Sequence, residues 1–236
     1  ARSGSGPRTT SRTSADRPMA GFLIPDAPLP SARHLRLAIV GPDDCWAAAL
    51  VEVFATVGRT VERLSCEELA PARTRAHQAD VAFLTIRTSQ MQSVVPQLGD
   101  ALKGVVTVVC TTSLQHDESG YFMQPVHGGS ATELASELLP GSRVVGAFQQ
   151  FGPSHLALAG MGAFETDVPV IGDDREACDV VEELIDEFRG LEPVYAGGLK
   201  GAAAIEGLAA LIGEATADIG RPVGFRLSSG GIKILD

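Results

Sequence analysis

Two histidines in one polar passage of the chain, His116 and His127, are the first candidates for chemistry. His116 is followed by Asp117 and Glu118, but consecutive residues do not converge easily on one metal ion, and the HxxxH spacing of a helical metal site is missing. We therefore predict no metal centre. Because imidazole titrates near neutral pH, either histidine is a candidate general acid or base. The sequence also lacks a GxSxG motif, a convincing catalytic triad and a P-loop.

Arg87 is a second candidate, since it follows the continuously apolar stretch "DVAFLTI", which is typical of a strand buried on both faces. Ligands of parallel sheets gather at the carboxyl ends of the strands. Arg87, with Thr85 and Thr88 beside it, is therefore suited to hold an anionic or carbonyl group. The structural alternative is a salt bridge from Arg87 to Asp43 or Asp44.

The elements that must position these residues alternate between strand and helix, which predicts a parallel sheet covered on both faces. The predicted strands are Leu35–Val40, Thr60–Leu64, "DVAFLTI", "VVTVVC", Arg143–Phe148, "DVPVIG" and "EPVYAG". The predicted helices are Cys45–Val57, Glu67–His77, Ser89–Ala101, Ala131–Leu139, Asp174–Phe188 and the Ala/Gly-rich segment "KGAAAIEGLAALIGEATADIG".

Two passages show no clear periodicity. We expect Thr111–Ser130 to be irregular, and such long passages in compact domains are functional or disordered. "QQFGPSHLALAGMGAFET" is also expected to be a loop. Asp173, followed three residues later by Glu176, predicts a capping box at the start of the next helix. The small residues of the last helix indicate either tight core packing or a helix shared across a dimer.

Composition excludes several classes of protein. The chain has 236 residues, 44% of them hydrophobic, and a net charge of −10. Residues 1–34 carry five arginines and two aspartates, a net of +3, so the remainder carries −13. An acidic body argues against nucleic acid as the main partner, and no apolar run is long enough to span a membrane. The four scattered cysteines indicate reduced thiols in a cytoplasmic protein.

Several motifs from Arg143 onward resemble those of the F420-dependent NADP reductase family. They are "SRVVGAFQQFGPSHLAL", "DVPVIGDDREACDVVEELIDEFRGLEPVYAGGL", "AAIEGLAALI" and "GIKIL", preceded by "GYFMQPVHGGSATELASELLPGSRVV". The resemblance implies an α/β protein with a Rossmann-like, doubly wound parallel sheet and a small C-terminal α/β extension that ends in the Ala/Gly-rich helix. The expected organisation is a disordered tail over 1–34, a Rossmann-like domain over 35–150, and an extension over 151–236.

The resemblance also implies chemistry. Members of this family pass a hydride between NADP(H) and the deazaflavin F420 in a cleft between the two parts, and they are expected to be dimers. The family's phosphate loop, G-G-x-G-x-x-G, falls here on Gly41, Pro42, Asp44 and Ala47, so only the first glycine remains. Glycines there allow a tight turn and let the pyrophosphate approach backbone N–H groups.

The altered loop predicts that ordinary NADP binding is lost. Pro42 removes one N–H donor, and Asp43 and Asp44 place negative charge where the pyrophosphate would lie. Either aspartate is also a good helix cap, which would occupy the same donors. After strand two, Ser65 matches a family position that contacts the 2′-phosphate, but Glu67 stands nearby in place of a cation. Gly41, Ser65 and Thr85 remain candidates for contact with whatever cofactor is bound.

On the deazaflavin side, the resemblance points to the loop after Phe148 and to the turn around Gly197–Leu199. That loop contributes Gln149, Gln150 and Phe151, and the turn contributes Leu199. The glutamines suit hydrogen bonds to a polar heterocycle, although adjacent glutamines in a loop are commonly just solvated. Tyr121, in the passage that faces the cleft in relatives, is a further candidate proton donor.

Three functional hypotheses follow. The first is an F420H2-dependent reductase of a small organic substrate that needs no NADP. The second is a cofactor-free cyclase or isomerase that uses Arg87, His116, Tyr121 or Gln149 in the emptied cleft. The third is a non-catalytic pseudoenzyme that dimerises through the Ala/Gly-rich helix and binds another protein. In each case we expect a cytoplasmic homodimer, and in the first two a small-molecule ligand.

Overall fold

The computed structural model of this protein describes residues 34–228. The predicted tail before His34 and the closing "GIKIL" motif lie outside the described residues. The strands are β1 (Leu37–Gly41), β2 (Val61–Ser65), β3 (Val81–Leu84), β4 (Val106–Val109), β5 (Leu114–Asp117), β6 (Gly120–Met123), β7 (Arg143–Gly146), β8 (Thr166–Val170) and β9 (Leu191–Tyr195). The helices are α1 (Cys45–Thr56), α2 (Leu69–Ala76), α3 (Thr88–Val94), α4 (Ala131–Leu138), α5 (Pro153–Gly160), α6 (Arg175–Ile185) and α7 (Ala202–Ile219).

The central sheet has five strands in the order β2-β1-β3-β4-β7. Every neighbouring pair in it is parallel. The chain leaves β1 toward one edge for β2 and then crosses to the other side for β3, so the order reverses between β1 and β3. The crevice above such a reversal is where doubly wound sheets bind ligands. This topology confirms the predicted Rossmann-like α/β fold.

Both faces of the sheet are buried, as the apolar strands predict. One face, carrying Leu37, Ile39 and Phe83, packs against α1, α5 and α6. The opposite face, carrying Val40 and Leu84, packs against α2, α3 and α4. Alternate residues of each strand thus enter opposite cores, as the two-residue period of a strand requires. Residues before and after position 150 share the first core, and the division into domains at that position stays a prediction.

The C-terminal part adds a second, two-stranded parallel sheet of β8 and β9. It joins the edge of the main sheet where the Gly146 N–H donates to the Ile171 carbonyl at 2.7 Å and the Ile171 N–H returns a bond to the Gly146 carbonyl at 3.0 Å. The buried Arg143 guanidinium donates to both oxygens of Asp174, at 2.5 and 2.8 Å. These contacts hold α6 and β8 against the edge strand β7.

The structure corrects three local predictions. The passage 111–130 contains the antiparallel hairpin of β5 and β6, whose four-residue strands are too short and polar to show a period. The predicted loop after Phe148 contains α5, which begins at Pro153, a favourable first helical position. The predicted capping box at Asp173 is wrong by one residue, because Asp174 is the N-cap of α6.

Two helix predictions also change in extent. The predicted helix Ser89–Ala101 ends as α-helix at Val94 and continues as a 3-10 helix over Val95–Leu98, since Pro96 cannot donate a backbone hydrogen bond. The Ala/Gly-rich helix α7 spans Ala202–Ile219, slightly less than predicted. Gly220 caps it, and its φ of 73° is the left-handed conformation that favours glycine. Leu211 and Ile219 are exposed on α7, and the expected homodimer stays a prediction.

Candidate functional site

A cleft with a volume of about 420 Å³ lies at the carboxyl ends of β1, β3 and β4, above the point where strand order reverses. Its volume is in the range of small-molecule sites. The first turn of α1, the β5-β6 hairpin, the loop after β7 and one face of α7 form its walls. The cleft therefore brings together residues that lie more than 160 positions apart in the chain, from Asp44 to Thr216.

Six of the residues predicted from the sequence line this cleft: Thr85, Arg87, Tyr121, Gln149, Gln150 and Phe151. His116 lies beside it on β5, with its ring 4.4 Å from that of Tyr121. Gly41 and Ser65 line a neighbouring crevice at the ends of β1 and β2. Leu199 lies elsewhere, next to Arg143 and Asp174. His127 is exposed and pairs with Glu137 at 3.2 Å. The proposed role of each residue stays a prediction.

The cleft collects buried polar atoms that have no hydrogen-bond partner. Among residues 34–228, the buried side-chain atoms without a partner are Thr85 Oγ1, Gln149 Oε1 and His155 Nε2. All three residues line this cleft. Buried polar groups are almost always satisfied, because leaving one unpaired costs about 1–3 kcal/mol. Their convergence on one cleft is the pattern that a bound polar ligand would resolve.

Gln149 follows β7 and is oriented by two acceptors. Its Nε2 donates to Thr132 Oγ1 at 2.6 Å and lies 3.3 Å from Glu206 Oε1. Gly146 leaves room for the amide, because a Cβ at that position would lie 3.0 Å from the Gln149 amide nitrogen. With the amide nitrogen engaged, the unpartnered atom of Gln149 is a hydrogen-bond acceptor.

His155, on α5, is a cleft residue that the sequence analysis did not single out. Its Nδ1 accepts from the Gly152 N–H at 3.1 Å, so the ring proton of the neutral imidazole lies on Nε2. The ring is parallel to that of Phe151, with centroids 6.0 Å apart. Burial lowers the pKa of His155, and the Val223 carbonyl partly opposes this shift although it is not a hydrogen-bond partner of Nε2. The signal that would have identified it is Pro153 at the start of a helix, with His155 at its third position.

Glu206 is a second residue missed from the sequence. It is 1% exposed and accepts hydrogen bonds from the backbone N–H groups of Ala131 and Thr132, both at 2.9 Å, at the start of α4. The Thr132 hydroxyl donates to it at 2.8 Å. Burial raises the pKa of Glu206, and these hydrogen bonds oppose the shift. Glu206 is one of two glutamates in α7, and its neighbours in the sequence do not indicate this distant partner.

The β5-β6 hairpin covers one side of the cleft and rests on α7. The backbone N–H of Tyr121 donates to the carboxylate of Glu214. Gly213 receives the Tyr121 ring, since a Cβ there would lie 2.9 Å from two ring carbons. Tyr121 is thereby held at the cleft, with His116 against its outer side.

Arg87 lies at the end of β3, between this cleft and a second cavity under the hairpin. It is exposed, and no carboxylate in the described part of the chain lies within ion-pair distance of it. The alternative salt bridge to Asp43 or Asp44 is not formed, because those aspartates have other partners. Cys110 also lines the cleft, but burial raises the pKa of its thiol far above the usual range, so it is not a thiolate nucleophile.

The loop after β1 is occupied by its own side chains. Asp44 accepts from the N–H groups of Trp46 at 3.2 Å and Ala47 at 3.1 Å, which caps α1. Asp43 forms an ion pair with Arg63 of β2. Arg63 also lines the crevice that contains Ser65. The Trp46 indole N–H donates to the Phe151 carbonyl at 2.7 Å and joins α1 to the loop after β7.

The neighbouring crevice, of about 440 Å³, contains two of the predicted cofactor contacts, Gly41 and Ser65. Gly41 is needed there for a packing reason, because a Cβ at that position would collide with Thr85 Oγ1. Ser65 Oγ accepts from the Glu67 N–H at 3.2 Å. Pro42, Asp43, Glu67 and Glu68 line the same crevice, so it is rich in negative charge.

Between residues 34 and 228, no three side chains of His, Cys, Asp or Glu form a group that could hold a metal ion. Within the same range, no helix has both the length and the hydropathy needed to cross a bilayer.

The sequence is similar to those of curated F420-dependent NADP reductases. The chain is 30% identical over 141 residues to an F420-dependent NADP reductase of Methanothermobacter marburgensis, covering 58% of this chain and 62% of that protein. It is 27% identical over 164 residues to the F420-dependent NADP reductase of Methanocaldococcus jannaschii, covering 67% and 69%. This chain is a homologue of the F420-dependent NADP reductases. The first match spans about three fifths of the reductase's length.

Solved structures agree with this relationship at the level of the fold. A proposed F420-dependent NADP reductase from Arthrobacter sp. FB24 superposes with a TM-score of 0.69 at 16% identity, covering 83% of this chain and all of that one. A hypothetical protein from Sinorhizobium meliloti superposes with a TM-score of 0.58 at 22% identity, covering 81% and 94%. No protein-family profile matches the chain. The chain therefore shares its fold with the proposed reductase from Arthrobacter.

Proposed function

We propose that this protein is an oxidoreductase that uses reduced F420 on a small organic substrate in the cleft and does not bind NADP. The observation that carries the proposal is the convergence of three unpartnered buried atoms, from β3, the loop after β7 and α5, on a single cleft in a homologue of F420-dependent reductases. Each atom would gain a partner when a polar ligand binds.

The residues present do not fit NADP. A pyrophosphate in this fold needs free N–H groups at the start of α1. Here the Asp44 carboxylate accepts those of Trp46 and Ala47. Two negative charges a few ångströms apart repel by about 1–4 kcal/mol at surface-like dielectric values, and Asp43 adds a second carboxylate, although Arg63 offsets it.

The cleft residues do fit a planar polar heterocycle such as a deazaflavin. His155 Nε2–H can donate, Gln149 Oε1 can accept, and the Thr85 hydroxyl can do either. The rings of Trp46 and Phe151 supply apolar wall area. F420H2 supplies a hydride when it is bound. The protein's own part is to orient the heterocycle, exclude water beneath the hairpin and hold an anionic group at Arg87.

A second candidate is a cofactor-free cyclase or isomerase. It is favoured by one observation: a neutral imidazole and a phenol, those of His155 and Tyr121, line the same cleft as Arg87. Such groups can move a proton and stabilise a developing negative charge without a redox cofactor. Both candidates place the substrate in the same cleft, and they differ in whether F420 binds.

The test uses the single tryptophan of the chain. Trp46 lines the cleft and contacts both the altered loop and Phe151. Its fluorescence, corrected for inner-filter absorption, is followed during separate titrations with F420, NADPH and NADH, and calorimetry provides an independent measurement. We expect saturable binding of F420 and none of NADPH.

The other outcomes are equally informative. Saturable NADPH binding by the unmodified protein would overturn the loss of the dinucleotide site. Absence of binding by F420 and by both nicotinamides would overturn F420-dependent chemistry and favour the cofactor-free candidate. The variant Gln149→Leu, which removes an acceptor from the cleft, is expected to weaken F420 binding about tenfold. Gln115→Leu, on the exposed hairpin, is the matched control.

A further inference from the structure

A chain of hydrogen bonds runs from α7 to the cleft through three buried side chains, those of Glu206, Thr132 and Gln149. The chemistry of each group decides which atom donates at each step. The Glu206 carboxylate accepts hydrogen bonds from the backbone N–H groups of Ala131 and Thr132 at the start of α4 and from the Thr132 hydroxyl. Both carboxylate oxygens of Glu206 are acceptors in these hydrogen bonds. The Thr132 hydroxyl therefore donates to Glu206 at 2.8 Å and keeps its lone pairs for Gln149, whose Nε2 approaches to 2.6 Å.

This order leaves the Gln149 amide one orientation. Turning the amide over would place its carbonyl oxygen against Thr132 Oγ1, which is 2.6 Å from the present nitrogen and already donates its hydrogen to Glu206, and would set two acceptors against each other. Gln149 is 6% exposed, so water does not relieve the conflict. Oε1 thus remains without a partner at the end of this chain of hydrogen bonds, in a residue that lines the cleft.

We propose that Glu206, acting through Thr132, holds the Gln149 amide so that the cleft accepts only ligands with an N–H or O–H donor at that point, such as the ring N–H of an imide or lactam. Glu206 and Thr132 are positioning residues in this scheme, and Gln149 is the residue that contacts the ligand. The inference rests on the proposed function in that it concerns the same cleft, but it does not require the ligand to be F420.

The preference for ligands with an N–H or O–H donor can be measured with two ligands that differ in that donor. A ligand whose ring nitrogen is methylated leaves Oε1 unpaired and places a methyl group against it. A buried acceptor without a partner lowers affinity by about tenfold or more. An amide free to turn over would adapt to either ligand and would show little preference.

The probe pair is succinimide and N-methylsuccinimide, whose binding to the full chain is measured by saturation-transfer NMR. We expect the unmodified protein to prefer succinimide about tenfold. Thr132→Ser keeps the hydroxyl and should keep the preference. Thr132→Val removes the hydroxyl, and Glu206→Gln allows the order of donors to reverse. In both variants the ratio of the affinities for succinimide and N-methylsuccinimide should fall close to one. Thermal unfolding of each variant shows which ones fold.

The outcomes separate this inference from the proposed function. Equal binding of the two imides by the unmodified protein, binding of neither, or an undiminished preference in Thr132→Val would overturn the inference. If Glu206→Gln fails to fold, the pair Thr132→Val and Thr132→Ser still decides the question. An intact imide preference together with no F420 binding would overturn the proposed cofactor and support the inference.

Discussion

The ring of Tyr121 lies against Gly213 of α7, so close that a Cβ at position 213 would come within 2.9 Å of Cδ1 and Cγ. This contact seats the β5-β6 hairpin on the last helix and places the tyrosine at the wall of the cleft. The contact also requires a residue without a side chain at Gly213 of α7. Gly207 of the same helix has open space around its Cα.

The two glycines of α7 should therefore respond in opposite ways to alanine. Gly213→Ala should destabilise the fold by about 1–3 kcal/mol, because the Tyr121 ring must move. Gly207→Ala should stabilise it by up to about 1 kcal/mol, because alanine favours helix and meets nothing. Urea unfolding followed by circular dichroism measures both. Equal effects of the two substitutions would show that Tyr121 does not depend on Gly213.

The cap at Asp44 leads to a prediction about both stability and cofactor. Asp44→Gly and Asp44→Ser each remove the carboxylate, but serine can still accept the N–H groups of Trp46 and Ala47. Only the glycine variant should therefore gain measurable NADPH affinity over the unmodified protein, in calorimetric titrations. A matching gain in Asp44→Ser would mean that charge, and not occupation of the N–H groups, excludes the pyrophosphate. Asp44→Ala should also cost about 1 kcal/mol of stability.

Burial of His155 predicts a pH dependence of stability. Because its pKa is lower in the folded protein than the ordinary value of 6.5, the unfolded chain takes up the proton first. The contribution of neutral His155 to the free energy of unfolding is fully present above about pH 6.5 and is lost as pH falls below it. Asparagine can accept the same Gly152 N–H without titrating, so His155→Asn should show a flatter profile between about pH 5 and 7. Parallel profiles for the two proteins, from chemical denaturation, would contradict the assignment.

Arg87 is predicted to hold an anionic part of the ligand. Arg87→Met should weaken F420 binding about tenfold, and Arg87→Lys should keep part of the affinity, because lysine supplies charge without the planar fork. Arg73, an exposed arginine 3.9 Å from Asp100, provides the control Arg73→Met, which changes net charge equally and lies away from the cleft. Trp46 fluorescence measures all three. Equal losses of F420 affinity in the Arg87 and Arg73 variants would show that Arg87 acts only through long-range charge.

Much of the fold followed from local sequence. Apolar runs such as "DVAFLTI" and "VVTVVC" identified the buried strands, and the single apolar stripe of α6 identified that helix, because burial on one or two faces imposes a fixed period. The hairpin of β5 and β6 did not follow, since its strands are four residues long and largely exposed. Its stability comes from α7, through Gly213 and Glu214.

The candidate site divides in the same way. Residue types were enough to expect a loop without free phosphate-binding N–H groups, because Pro42 and Asp44 act on their own backbone within a few positions. They were also enough to place Arg87 and Gln149 at strand ends. Hydrogen-bond partners across the chain were decided by tertiary structure alone: Glu206 reaches the start of α4 from 74 positions away, and His155 becomes a cleft residue only when α5 packs beneath Phe151. Such pairings depend on long-range packing, which leaves no periodic trace in a sequence.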